Sequence, residues 1–157
     1  MLPYSNFAME PYKVLPGRYF VWPRSAPPGY YTEAVLLDNR DVLGQAVEIS
    51  GPAALKVILK ADGGAVRGIV EKGVGAWLVL LADATPASRL GFSAQSDSDG
   101  SFLIRNVPPG DYTIVALEKI DMMSYSDFTS AIMANGTRVK VEAGSSESVE
   151  LRMAHQP

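Results

Sequence analysis

The chain spells Val-x-Pro-Gly-x-Tyr twice. "VLPGRY" runs from Val14 to Tyr19, and "VPPGDY" from Val107 to Tyr112, 93 residues later. The likeness continues downstream. "AVEIS", Ala46 to Ser50, lies opposite "RVKVE", Arg138 to Glu142, at an offset of 92. "LKVIL", Leu55 to Leu59, lies opposite "VELRM", Val149 to Met153, at an offset of 94. Self-similarity at a near-constant spacing marks a repeated structural unit. Two units are therefore expected. Residues 64–154 make a complete one. Residues 1–60 hold only the later part, without a counterpart of Gly64 to about Phe102. "KADGG", Lys60 to Gly64, joins them by a link too short to flex freely.

Fourteen glycines and eleven prolines punctuate short alternating runs, the pattern of many strands between turns. Strands are predicted over Arg18–Trp22, Tyr31–Leu37, Ala46–Ile49, Leu55–Leu59, Ala65–Val70 and Ala76–Leu81. Further strands are predicted over Gly91–Gln95, Phe102–Arg105, Tyr112–Glu118, Arg138–Glu142 and Ser148–Met153. In "SVELRM" the apolar set is Val149, Leu151 and Met153, a period of two that marks a half-buried strand. "WLVLLA" is apolar throughout and belongs at the centre of the packing. Asp62-Gly63, Asp99-Gly100 and Asn135-Gly136 supply turn residues tolerant of positive φ. Pro16-Gly17, Pro28-Gly29 and Pro109-Gly110 fit turns with Pro and Gly at the two central positions. One short helix is predicted over 127–134, capped by Ser126. The fold class is all-β: tandem β-sandwich modules of about seven strands when whole.

With 157 residues the chain is long enough to bury a real core. The net charge is −3 and no basic patch stands out, so nucleic acid is not an expected partner. There is no cysteine, which excludes disulfides, thiolate nucleophiles and Cys-based zinc sites. The single histidine is His155, so no multi-His metal site exists within one chain. No cofactor is expected. The longest apolar run, Gly75 to Ala82, is too short to span a bilayer. No basic stretch followed by an apolar one opens the chain, so no signal peptide is visible.

Residues 64–154 resemble the carboxypeptidase regulatory-like domain, a transthyretin-like (prealbumin-like) β-sandwich. The resemblance rests on "AVRGIVEKGVGAWLVLLAD", "SDSDGSFLIRNVPPGDYTIVALE" and "VKVEAGSSESVELRM". Residues 10–60 resemble the back half of the preceding module in tandem arrays of bacterial surface proteins. The resemblance implies a secreted, cell-surface or periplasmic location, and a structural, spacer or interaction role. It implies no catalytic residue.

Each candidate site has a competing structural reading. Asp97 to Gly100 suggests a calcium loop, but Gln95 and Asn106 stand where further carboxylate ligands are needed. A hairpin turn is the better reading, with Asp99 accepting backbone bonds and Gly100 at positive φ. Pro16, Gly17 and Tyr19, like Pro109, Gly110 and Tyr112, read as a rigid turn launching a strand. Each tyrosine hydroxyl would bond backbone, as in a tyrosine corner. Trp22, Tyr30 and Tyr31 are the candidates for stacking on a glycan, against a core-filling role. A hydrolase would have to use His155, and no nucleophile elbow exists to pair with it. A sandwich short of its first strands leaves unpaired edges and apolar interior. Residues 1–10 or a second copy of the chain, by strand addition, are the expected covers.

Overall fold

A computed structural model describes residues 13–21, 26–83, 91–118 and 134–154. They form four sheets. In chain order the strands are β1 (Gly17–Phe20), β2 (Tyr31–Leu37), β3 (Arg40–Asp41), β4 (Ala46–Ile49), β5 (Leu55–Lys60) and β6 (Gly64–Glu71). Then follow β7 (Trp77–Ala82), β8 (Gly91–Gln95), β9 (Ser101–Val107), β10 (Gly110–Leu117), β11 (Thr137–Val141) and β12 (Ser146–Arg152). The helix predicted over 127–134 lies outside the described residues, apart from Ala134.

After residue 63 two sheets face each other, ordered β11-β10-β7-β8 and β12-β6-β9. Alternation sets their inner faces. In β9, Phe102 and Ile104 are buried while Leu103 and Arg105 point outward. The shared core takes Val66 and Val70 from β6, Leu78 and Leu80 from β7, Tyr112 and Ile114 from β10, and Leu151 from β12. Each such side chain contributes roughly 1.5–3 kcal/mol by leaving water. β7 pairs with β10 on one side and β8 on the other. Its alternate residues Val79 and Leu81 join Val115 and Leu117 in a second cluster on the far face. That two-sided burial accounts for the unbroken apolar run "WLVLLA".

Before residue 63, β1 pairs with β4, and β2 lies between β3 and β5. Val35, Val42, Leu43 and Val47 form their core, with Tyr19, Val21, Leu37 and Ile49 packed against it. β3 was not among the predicted strands. It exists because Asp38 and Asn39 take φ of 49° and 63°, so the chain reverses in two residues. Asp and Asn tolerate that region better than other side chains.

The turn assignments need correction at three places. Gly17 and Gly110 open strands β1 and β10, and neither has a positive φ. Gly63 has no positive φ either; it is small because a Cβ there would stand 2.9 Å from Asn106 Cα and 3.1 Å from Tyr31 Cδ1. Gly29 and Gly100 do take positive φ, 84° and 81°.

β12 runs parallel to β6 and in close contact with it. A Cβ added to Gly68 would lie 1.8 Å from Val149 O, and 3.1 Å from Phe102 Cε1. Gly68→Ala must push β6 away from its neighbours, and is expected to lower stability by about 2–3 kcal/mol. Gly51→Ala is the control, since a Cβ there meets nothing within 4 Å; its change should stay within about 0.5 kcal/mol. Urea unfolding of the two variants checks this.

Candidate functional site

The two Val-x-Pro-Gly-x-Tyr segments fold alike. Tyr19 Oη donates to Leu15 O at 2.5 Å, and Tyr112 Oη donates to Pro108 O at 2.7 Å, each four residues back. Each ring crosses the glycine two residues before it. A Cβ on Gly17 would meet Tyr19 Cε2 at 3.7 Å, and one on Gly110 would meet Tyr112 Cε2 at 3.4 Å. Across the sheet Tyr19 stands opposite Val47 and Tyr112 opposite Val139. The surroundings differ. Tyr112 is fully buried, with Phe92 edge-on at 6.4 Å. Burial, and then the Glu33 carboxylate, push its phenol above the ordinary tyrosine range. Tyr19 is only half-buried.

That contrast extends along both segments. Val14 is 54% exposed and its counterpart Val107 0%. Phe20 is 75% exposed against 2% for Thr113, and Val57 45% against 5% for Leu151. Leu15 is exposed where Pro108 is buried. The cause lies in the pairing. β10 has β11 on one side and β7 on the other, whereas among the described residues β1 pairs with β4 alone. β12 leans on β6; β5 has only β2. Val14, Leu15, Phe20 and Val57 are thus exposed apolar side chains on the first part of the chain.

Of the aromatic candidates, Trp22 lies outside the described residues. Tyr30 is half-buried, its N–H bonded to Pro27 O at 3.0 Å. Tyr31 is buried and offers no free ring face. Its hydroxyl donates to Asp62 Oδ1 at 3.0 Å, and burial followed by that bond raises its ionisation above the ordinary range. Asp62 also accepts at its carbonyl from Gly144 N at 2.9 Å. The link between the two parts is thus held by side chain and backbone together.

The Asp97–Gly100 turn closes on itself. Gly100 N donates to Asp97 O at 3.0 Å, and Asp97 N donates to Ser101 O at 2.7 Å. Asp99 Oδ1 accepts from Ser101 Oγ at 2.6 Å and Ser101 N at 2.9 Å. The Ser101 hydroxyl, and then the backbone, hold the Asp99 carboxyl below the usual range. Among the described residues no three His, Asp or Glu side chains gather as metal ligands would. Ser96 was not singled out in the sequence. It is buried, accepts from Ala76 N at 2.8 Å and donates to Gly73 O, so it ties the β6–β7 turn to β8. Its position just past Gln95, the end of β8, carries no signal that distinguishes it from other turn serines.

No family model matches the chain, and no curated protein matches it. Solved structures give distant similarities. The minor pilin of Streptococcus agalactiae is 13% identical with a TM-score of 0.36, over 71% of this chain and 60% of that one. The Bacillus anthracis TIE protein is 12% identical with a TM-score of 0.39, over 86% of this chain and 34% of that one. The major pilin subunit of Bacillus cereus is 16% identical with a TM-score of 0.31, over 78% and 38%. The chain spans less than two thirds of each of these proteins.

Two predictions follow from the tyrosines. Tyr112→Phe leaves the buried Pro108 carbonyl without its donor, and should cost about 1–3 kcal/mol. Tyr19→Phe removes a solvent-exposed bond and should cost less than about 1 kcal/mol. Denaturant unfolding separates them. The second concerns alkaline pH. Tyr112 stays protonated in the fold at a pH where the unfolded chain has lost that proton. Stability is then whole below about pH 10 and falls above it, by up to about 1.4 kcal/mol per pH unit for this group. Stability measured from pH 8 to 11.5 should slope downward more steeply in the parent than in Tyr112→Phe.

Proposed function

We propose that this chain is a non-catalytic structural module of a bacterial secreted or envelope protein. It holds two copies of one carboxypeptidase regulatory-like β-sandwich, the first without its opening strands, and it self-associates through that first copy. The family and the location rest on the sequence resemblance. The observation that carries the proposal is the paired exposure. Val14, Leu15, Phe20 and Val57 stand in solvent where Val107, Pro108, Thr113 and Leu151 are buried.

After residue 63, Val107 and Leu151 lie in the core between the two sheets, and Thr113 stands between β7 and β11 with its hydroxyl donating to Asp83 Oδ1 at 2.7 Å. Among the described residues the first copy carries no strand over the matching positions. Large apolar side chains left in solvent are the material of interaction surfaces. Among the described residues β1 has one unpaired side, whose backbone donors and acceptors a further strand would satisfy. A structural role also suits the chemistry of the chain, which has no cysteine and a single histidine.

Light scattering after size exclusion, over a hundredfold range of concentration, tests self-association. A dimer or larger assembly is expected. Phe20→Ser combined with Val57→Ser should shift it toward monomer without loss of fold, because both side chains are exposed. A parent chain that is monomeric throughout would overturn self-association.

A further inference from the structure

We infer that residues 64–154 resist tension applied along the chain, through the pairing of β6 with β12. This deepens the structural reading above, and it is tested on single molecules, so its failure leaves self-association untouched.

β6 is the first strand of this part and β12 the last. They lie side by side and parallel, from Ala65 opposite Ser146 to Glu71 opposite Arg152. In a parallel pair the N-terminal ends lie together. The chain enters at the N-terminal end of β6 and leaves at the C-terminal end of β12. Tension between those points drags the two strands past each other along their length. Every hydrogen bond of the ladder is then loaded together, because parallel bonds are evenly spaced along the strands. The same strands pulled apart from one end would part bond by bond.

Several contacts extend the ladder. At the entry, Ala65 N donates to Ser145 O at 2.8 Å, and Gly144 N to Asp62 O at 2.9 Å. At the exit, Met153 bridges Ala116 of β10, and Ala154 N donates to Ala116 O at 2.8 Å. Side chains cross the same two strands: Arg67 Nε to Ser148 Oγ at 3.2 Å, and Arg152 Nε to Glu71 Oε2 at 3.1 Å. Gly68 lets the strands approach at the middle of the ladder.

The described strands before residue 63 are paired differently. β1 belongs to the sheet with β4, and β5 to the sheet with β2 and β3. Among the described residues no ladder joins the first of these strands to the last. Under tension this part should give way before residues 64–154.

The chain has no native cysteine, so introduced ones serve as unique handles. Ala61→Cys with Arg152→Cys loads the ladder lengthwise; both positions are exposed. Ala61→Cys with Ala143→Cys loads the same ladder from one end, and Ala143 is exposed too. A handle at the C-terminus in place of Arg152→Cys repeats the lengthwise geometry with the Arg152–Glu71 pair intact. At equal loading rate, optical tweezers should record a rupture force roughly twofold or more higher lengthwise, since forced rupture follows the unfolding rate. The lengthwise event should release a contour length of about 30 nm. Equal forces in the two geometries would overturn the inference.

Discussion

The pairing of the first strand after residue 63 with the last strand of the chain organises the second half of this molecule. β6 and β12 are far apart in sequence, and bringing them together closes a loop holding nearly all of that half. The loop-closure cost is met by the core that the pairing completes. Leu151 of β12, beside Val70 of β6 in the ladder, joins Val66, Val70 and Phe102 in one buried cluster. β12 then carries the chain across to β10, where Ala154 packs beside Trp77, Val79 and Val115. The two sheets are therefore tied at one edge by a single strand that touches both.

Before residue 63 the same sequence pattern meets different partners. Tyr19 makes the same four-residue return to backbone as Tyr112. β1 and β4 pair in the same sense as β10 and β11. Among the described residues β5 pairs with β2 alone, in the antiparallel sense, whereas β12 pairs with β6 in the parallel sense. The local devices survive while the burial they serve elsewhere is missing. The tyrosine corner is thus a local instruction, and burial of the residues around it depends on strands supplied from further away.

Much of this was legible in the sequence. The predicted bounds of β2, β4 and β8 coincide with the strands observed; Pro28-Gly29 and Asp38-Asn39 flank β2, and Gly44 and Gly51-Pro52 flank β4. Other strands differ by a residue or two, as fraying ends do. β3 escaped because two residues show no period. Gly17 and Gly110 were read as turn centres, since Pro-Gly is a strong turn signal, yet each begins the strand whose tyrosine ring lies across it. Tyr31 looked like a surface aromatic in a polar, proline-rich stretch. Its burial comes from Asp62 and Gly63, some thirty residues away, and no local pattern records that. Nor does composition tell that Phe20 is exposed while Thr113, at the matching place, is buried.

Hydrogen exchange on the dilute chain tests the central proposal most directly, that β1 has an open edge where β10 is paired on both sides. The amides of Arg18 and Phe20 on β1 are to be compared with their counterparts Asp111 and Thr113 on β10. Fast exchange at β1 in dilute solution, slow exchange at β10, and protection of β1 that grows with concentration would agree with the account. Protection at β1 equal to that at β10 in the dilute monomer would contradict it, because the edge would then be covered within a single chain.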